Sequence, residues 1–189
     1  MRRRVLAGLG AAALLLLTAC SGVEEGGEGG YISGDGTVTT IDPGDREPAP
    51  ALSGLDLDGE ELSTEDFAGQ TIVVNLWGSW CPPCRKEMPI LKEVSESYED
   101  SSVQFLGLLT QDKPASARAF NDKIGITYPS IVDDGGENQL AFADSLPSQA
   151  IPTTWIIDSE GRVAVRILDP ELGASTLTDL IEYVRKSTQ

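Results

Sequence analysis

The stretch Thr71–Pro89, TIVVNLWGSWCPPCRKEMP, decides how the rest of the chain is read. Ile72, Val73, Val74, Leu76 and Trp77 form a short apolar run rich in β-branched residues, the pattern of a buried strand. Gly78 and Ser79 break the run. Trp80-Cys81-Pro82-Pro83-Cys84 then opens a helix, with proline acceptable in its first turn because that N–H has no intrahelical partner to lose. Two thiols three residues apart at such a helix start can close into a disulfide or be held as a reactive pair.

The chain of 189 residues begins with a segment that is not expected to survive as part of the fold. Arg2, Arg3 and Arg4 precede the small and apolar run Val5–Ala19, too short for a comfortable membrane span. Leu17-Thr18-Ala19-Cys20 resembles the lipobox of bacterial lipoproteins, in which Cys20 would be lipidated on its thiol and become the first mature residue. Residues 1–19 are therefore expected to be a lipoprotein signal peptide, and the rest to be delivered outside the cytoplasm, where disulfide chemistry is possible. Removing them takes away three basic residues and no acidic one, so the formal charge moves from −16 to −19. Phosphate would be repelled, which argues against a nucleic-acid partner.

With Cys20 assigned to lipid, Cys81 and Cys84 are the only other cysteines. A bridge across two intervening residues restricts the unfolded chain too little to be a structural staple. The chain contains no histidine and no second cysteine pair, so a zinc or other metal site is not expected. No cofactor is called for. Redox chemistry of the thiols is the reading that remains.

Residues 20–49 are rich in Gly, Glu, Asp and Pro and poor in large apolar side chains, as in a flexible acidic tether. Thr37–Ile41 is a candidate short strand with no nameable partner. The folded domain is expected over residues 50–189. Leu52, Leu55 and Leu57 with the Asp58-Gly59 turn suggest a hairpin, followed by a turn of helix at Thr64–Phe67. Met88, Leu91, Val94 and Tyr98 continue the helix opened by the thiol pair, with Pro89 inside it. Val103–Leu109 is a second buried strand, and Ala115, Ala119, Phe120 and Ile124 mark the next helical face. Tyr128–Val132 adds a short strand, and Glu137–Ala143 a short helix with Leu140 and Ala143 as its stripe. Residues 153–158 and 162–168 read as antiparallel strands joined by a tight turn. Leu177, Leu180, Ile181 and Val184 give a C-terminal helix its apolar face. The order specifies an α/β fold, a central mixed sheet with helices on both faces.

At the helix start, the Cys81 thiolate would feel unpaired backbone N–H groups and the positive end of the helix dipole. Such cysteines titrate well below the free value of about 8.5. Cys84, one turn inward, suits the resolving of a mixed disulfide. Pro82 and Pro83 cannot donate hydrogen bonds, which limits the donors that reach the Cys81 sulfur. Glu87 lies three residues beyond Cys84 on the same side of the helix. If buried it would have a raised pKa and could take a proton from Cys84. A solvated Glu87 pairing with Arg85 or Lys86 is the other reading.

Asn75-Leu76-Trp77-Gly78-Ser79-Trp80-Cys81-Pro82-Pro83-Cys84-Arg85-Lys86-Glu87-Met88-Pro89 resembles the thioredoxin superfamily, and within it the extracytoplasmic TlpA/ResA group of thiol–disulfide oxidoreductases. A second signature is Ala150-Ile151-Pro152-Thr153-Thr154-Trp155-Ile156-Ile157-Asp158, followed by Gly161-Arg162. The resemblance runs from about Pro50 to the C-terminus and includes an N-terminal β extension and a segment inserted between the second main strand and the Pro152 strand. It implies that Cys81 is the attacking sulfur, Cys84 the resolving one, and Pro152 a cis-proline facing them, with Ile151 beside Cys81 ready to pair with a substrate peptide. It implies a glutamate near the thiols at Glu87. Asn75 replaces the buried aspartate of ordinary thioredoxin and cannot accept a proton as that residue does. Trp80 is expected to border the thiols or the substrate groove, Trp77 to be core, and Trp155 to face the sheet.

The expected function is that of a lipid-anchored enzyme on the extracytoplasmic face of a bacterial cell membrane. It would exchange the Cys81–Cys84 dithiol/disulfide with exported proteins and be recharged by a membrane redox partner, its domain monomeric. Reduction is favoured, as in the family's common role in cytochrome c maturation. Donation of the disulfide to folding substrates is the alternative. A peroxidase lacks its dedicated cysteine, copper delivery lacks histidines, and a binding module with an inert thiol pair would show no exchange.

Overall fold

All seven residues of Thr71–Trp77 are buried, as the continuous apolar run requires of a strand covered on both faces. In the computed structural model, which describes residues 37–188, this strand is β4 of eight. Before it come β1 (Val38–Thr40), β2 (Ser53–Leu55) and β3 (Glu61–Ser63). After it come α1 (Pro82–Ser97), β5 (Val103–Leu109), α2 (Pro114–Ile124), β6 (Ser130–Val132) and α3 (Glu137–Leu140). The chain ends with β7 (Thr153–Ile157), β8 (Val163–Ile167) and α4 (Ala174–Ser187). Residues 1–19 and Cys20 lie outside the described residues.

Among the described residues the main sheet has the order β1-β8-β7-β4-β5-β6. β4, β5 and β6 are parallel, whereas β7 runs antiparallel to β4, β8 to β7 and β1 to β8. This is the expected mixed sheet in a thioredoxin-like fold, with α2, β6 and α3 as the inserted segment. Alternation along β4 divides the core. Val73 and Trp77 pack with Met88 and Leu91 of α1 and with Leu177 and Ile181 of α4. Val74 and Leu76 face Leu52, Phe142 and Trp155 on the other side. The separate hairpin β2–β3 closes through Asp56, whose Oδ1 accepts the N–H groups of Asp58 and Glu60. Gly59 there has φ +89°, a conformation side chains rarely adopt.

Three sequence expectations are corrected. The buried stripe of α2 is Ala117 and Asn121 with Phe120 and Ile124 half-buried, while Ala115 and Ala119 are exposed. The i, i+3, i+4, i+7 spacing holds, but a polar Asn121 occupies one of its places. The helix expected over Glu137–Ala143 ends at Leu140 and tightens into a 3₁₀ turn over Ala141–Asp144. That change of pitch leaves Leu140 68% exposed and Ala143 outside, and turns Phe142 inward to stack on Trp155 with centroids 4.1 Å apart.

The third correction concerns where the fold starts. Residues 37–49, assigned to the tether by composition, are packed along β8. The amide of Ile41 donates to Ala164, that of Ala49 to Gly161, and Glu47 accepts from Val163. Arg46 explains how so polar a segment is held. Its Nη1 meets Asp158 Oδ2 at 3.1 Å with both side chains fully buried, its Nε donates to Ile41 O, and its Nη2 donates to Ser187 Oγ at 2.7 Å. One side chain thereby joins the arm, the β7–β8 turn and the end of α4.

Arg46→Ala leaves Asp158 buried with Arg162 as its remaining cation, so stability should fall by about 3 kcal/mol, the low end for breaking a buried ion pair. Chemical denaturation measures it. A loss below about 1 kcal/mol would mean that residues 37–49 are not part of the cooperative unit.

Candidate active site

β4 ends at Trp77, and four residues later the chain enters α1 with Cys81 as its N-cap. Cys81 is extended (φ −84°, ψ 110°), and Pro82 and Pro83 supply the first two helical positions with φ already suited to the helix. Cys81 and Cys84 are joined as a disulfide with Cα atoms 5.3 Å apart. The Cys84 amide donates to Cys81 Sγ at 3.2 Å. No N–H at Pro82 or Pro83 can add to it, so the first turn offers this sulfur a single donor. Both cysteines are buried in the disulfide, Cys81 at 1% exposure and Cys84 at 0%.

The loop that bears the disulfide is gripped by the residues that follow β5. Asp112 Oδ2 accepts the Ser79 N–H at 2.6 Å, and Trp80 Nε1 donates to Thr110 O at 3.4 Å. Trp80 is 49% exposed, and its indole lies against Gly78, where an added Cβ would come within 2.6 Å of Nε1. Across from it the Ile151–Pro152 bond is cis, as the resemblance implied. Trp80, Gln111, Gln139, Ser148 and Ile151 line a groove of about 260 Å³. Trp77 is core, as expected, with Nε1 donating to Ser130 Oγ.

Glu87 settles between its two sequence readings. It is 2% exposed and pairs with neither Arg85 nor Lys86. Thr154 Oγ1 donates to its Oε1 at 3.2 Å, and Asn75 Nδ2 reaches its Oε2 at 3.4 Å and Thr154 Oγ1 at 3.0 Å. Asn75 and Thr154 are direct partners across β4 and β7, which is why both side chains stand on the α1 side of the sheet. Burial pushes the Glu87 carboxyl up to about 7, against the lowering effect of the two hydrogen bonds and with a small further rise from Asp169. Among the described residues Asn75 Oδ1 has no partner, and neither does the buried Tyr128 hydroxyl. Burial and then the nearby Glu87 charge raise the Tyr128 pKa.

Of the residues singled out in the sequence, the structure brings Glu87 and Asn75 together, Trp80 and Ile151 to one groove, and Cys81, Cys84 and Ile151 to one apolar cluster. Thr154 was passed over although it stood in the quoted Ala150–Asp158 signature. Asp112, Thr110 and Tyr128 carried no sequence signal, since nothing local says which loop faces another.

A disulfide at the start of a helix, a cis Ile151–Pro152 bond and a buried carboxyl one turn further along that helix stand together in one domain, and a disulfide so placed can exchange with other disulfides. The class so defined is the thioredoxin-fold thiol–disulfide oxidoreductases, in the extracytoplasmic group of ResA and TlpA type. The chain belongs to the Redoxin family, whose model matches residues 43–181. It is 31% identical over 140 residues to the thiol-disulfide oxidoreductase ResA of Bacillus thuringiensis subsp. konkukian, covering 74% of this chain and 76% of that protein. Among solved structures it is similar to a DsbF homologue from Corynebacterium diphtheriae, with a TM-score of 0.72 and 31% identity over 82% of this chain and 99% of that one. A secreted thiol-disulfide isomerase from Corynebacterium glutamicum gives a TM-score of 0.69 and 29% identity, covering 83% and 99%.

The raised Glu87 pKa gives stability a pH dependence. The unfolded chain releases this proton near 4.5, whereas the folded chain keeps it to about 7. Between those values the folded state binds more protons, so stability falls as pH rises through the window, by a total on the order of 3 kcal/mol. Denaturation of the oxidised wild type and Glu87→Gln from pH 4 to pH 8 should show the variant without that loss. Parallel profiles would mean that Glu87 titrates as an ordinary carboxylate.

Proposed function

We propose that the protein is a membrane-tethered reductase of disulfides in exported proteins. The reading assigns residues 1–19 to a lipoprotein signal and Cys20 to the lipid, with the chain from residue 20 to the start of the arm as spacer. Cys81 attacks a substrate disulfide, the substrate S–S bond breaks, and one substrate sulfur leaves as a thiolate that takes a proton. Glu87 accepts the Cys84 proton, Cys84 attacks Cys81 Sγ, and the second substrate sulfur leaves. Two electrons have passed to the substrate, and Cys81–Cys84 is oxidised. A membrane redox protein with a dithiol restores it. Trp80 and Ile151 border the path of the substrate chain, and Pro152 faces the sulfurs.

The observation that carries the direction is the single N–H on Cys81 Sγ. Strong oxidants of this fold owe their potential to a stabilised reduced form, and a thiolate with one first-turn donor is less stabilised than one with several. A buried Glu87 that ionises only near pH 7 adds negative charge beneath the pair in the same direction. The relatives named as thiol-disulfide oxidoreductase ResA support thiol–disulfide exchange as the activity, and the reductive direction follows the role in cytochrome c maturation that the family resemblance implies.

The reduction potential of the domain at pH 7, equilibrated with defined thiol buffers, should lie below about −220 mV. A value near −120 mV would make it a donor of disulfides instead. Roles within the pair are tested by trapping. Cys84→Ser should accumulate mixed disulfides through Cys81, and Cys81→Ser should not. Equal trapping by both would overturn the assignment.

A further inference from the structure

The segment Ser145–Ile151 leads into Pro152, and two of its successive carbonyls are held from the sheet. Trp155 Nε1 donates to Leu146 O at 2.7 Å, and Arg166 Nη1 donates to Pro147 O at 3.0 Å. Trp155 and Arg166 are directly opposed on β7 and β8, so they leave the sheet on the same face. Thr39 of β1 is the register partner of Arg166 on its other side, and its Oγ1 accepts from Arg166 Nη2 at 3.1 Å. A row of three strands therefore ends in one guanidinium.

That guanidinium is costly where it stands. Arg166 is 8% exposed, its Nε has no protein partner, and it takes part in none of the ion pairs among the described residues. Burial lowers its pKa. A cation buried without a carboxylate destabilises a fold, and an apolar side chain of similar length would pack beside Trp155 at less cost. What such a side chain cannot do is hold the Pro147 carbonyl and the β1 strand at once, which the forked donors of arginine allow.

We infer that Arg166, with Trp155 beside it, is a positioning residue for the substrate chain: it sets the course of Pro147–Ile151 and hence the stance of the Ile151 main chain opposite Cys81. The inference rests on the roles proposed above for Cys81 and Ile151. Arg166 touches neither sulfur, so it acts on how a peptide is held and leaves thiol chemistry alone. Through Thr39 it also joins this segment to β1.

Two probes separate these effects. One is 5,5′-dithiobis(2-nitrobenzoate), which needs only an attacking sulfur. The other is a capped heptapeptide of alanine and serine with one central cysteine carried as its thionitrobenzoate disulfide. The protein is first reduced with dithiothreitol and freed of it; with either probe, attack by the Cys81 thiolate then breaks the probe's S–S bond and releases a thiolate, and Cys84 displaces the remaining half to form Cys81–Cys84 in a single turnover. For Arg166→Met, the single-turnover rate constant with excess peptide should fall about tenfold at low peptide concentration, mainly through a higher half-saturating concentration, the effect of one charge-assisted hydrogen bond. The rate with the small disulfide should stay within about twofold. Arg166→Lys, which can reach Pro147 O with its single donor group, should recover part of the loss. Thr39→Val, which frees only Nη2, serves if Arg166→Met does not fold, and should lower the peptide rate alone, with faster amide exchange at Ser148–Ile151. Equal losses on both probes, or none on either, would overturn the inference. A wild type that reacts with neither probe would overturn the reading of Cys81, and this inference with it.

Discussion

The burial of β4 on both faces is the constraint on which the structure depends. A strand with no solvent face must be flanked on each edge and covered above and below, and the chain meets this with β5 and β7 as edges and two separate apolar layers. Its C-terminal end then becomes the one place where the backbone can turn out of the sheet and start α1. The disulfide sits at that exit. Its position is therefore inherited from the packing of β4, several residues away from either sulfur.

The same strand supplies the chemistry below the disulfide. Asn75 lies at the middle of β4 and Thr154 opposite it on β7, and together they hold a carboxyl that α1 brings over the sheet. A carboxyl so enclosed keeps its proton to about pH 7 because few of the water contacts it would have outside are replaced. The two hydrogen bonds orient it without cancelling the desolvation. Proton acceptance near neutrality is thus a property of three elements meeting.

The N-terminal arm and the β7–β8 pair form a second framework on the other edge of the sheet. Arg46 and Arg166 are both buried, but they solve different problems. Arg46 neutralises Asp158 and closes the arm onto the end of α4. Arg166 has no such counter-charge among the described residues and gives its donors to a loop carbonyl and a threonine. A buried ion pair specifies where an arm docks, whereas an unpaired buried cation signals a demand that stability alone does not make.

The strands, the long helices and the cysteine pair at a helix start were legible from residue order, because apolar period and motif spacing are local properties, whereas the cis bond at Pro152 was expected from the family resemblance alone. Composition misled over residues 37–49, since a segment with few large apolar side chains can still be held by one buried arginine and by backbone pairing with β8. Period misled at Leu140, where a 3₁₀ turn rotated the buried face to Phe142. Sequence by itself determined that two thiols would stand at a helix start with prolines between them and a glutamate one turn on. Only the tertiary structure decided that this glutamate is buried against Thr154 and Asn75, that Asp112 holds Ser79, and that Arg166 reaches Pro147. Each of these depends on which segments lie side by side across the sheet, and burial and hydrogen bonding between distant residues have no period or spacing in the chain to announce them.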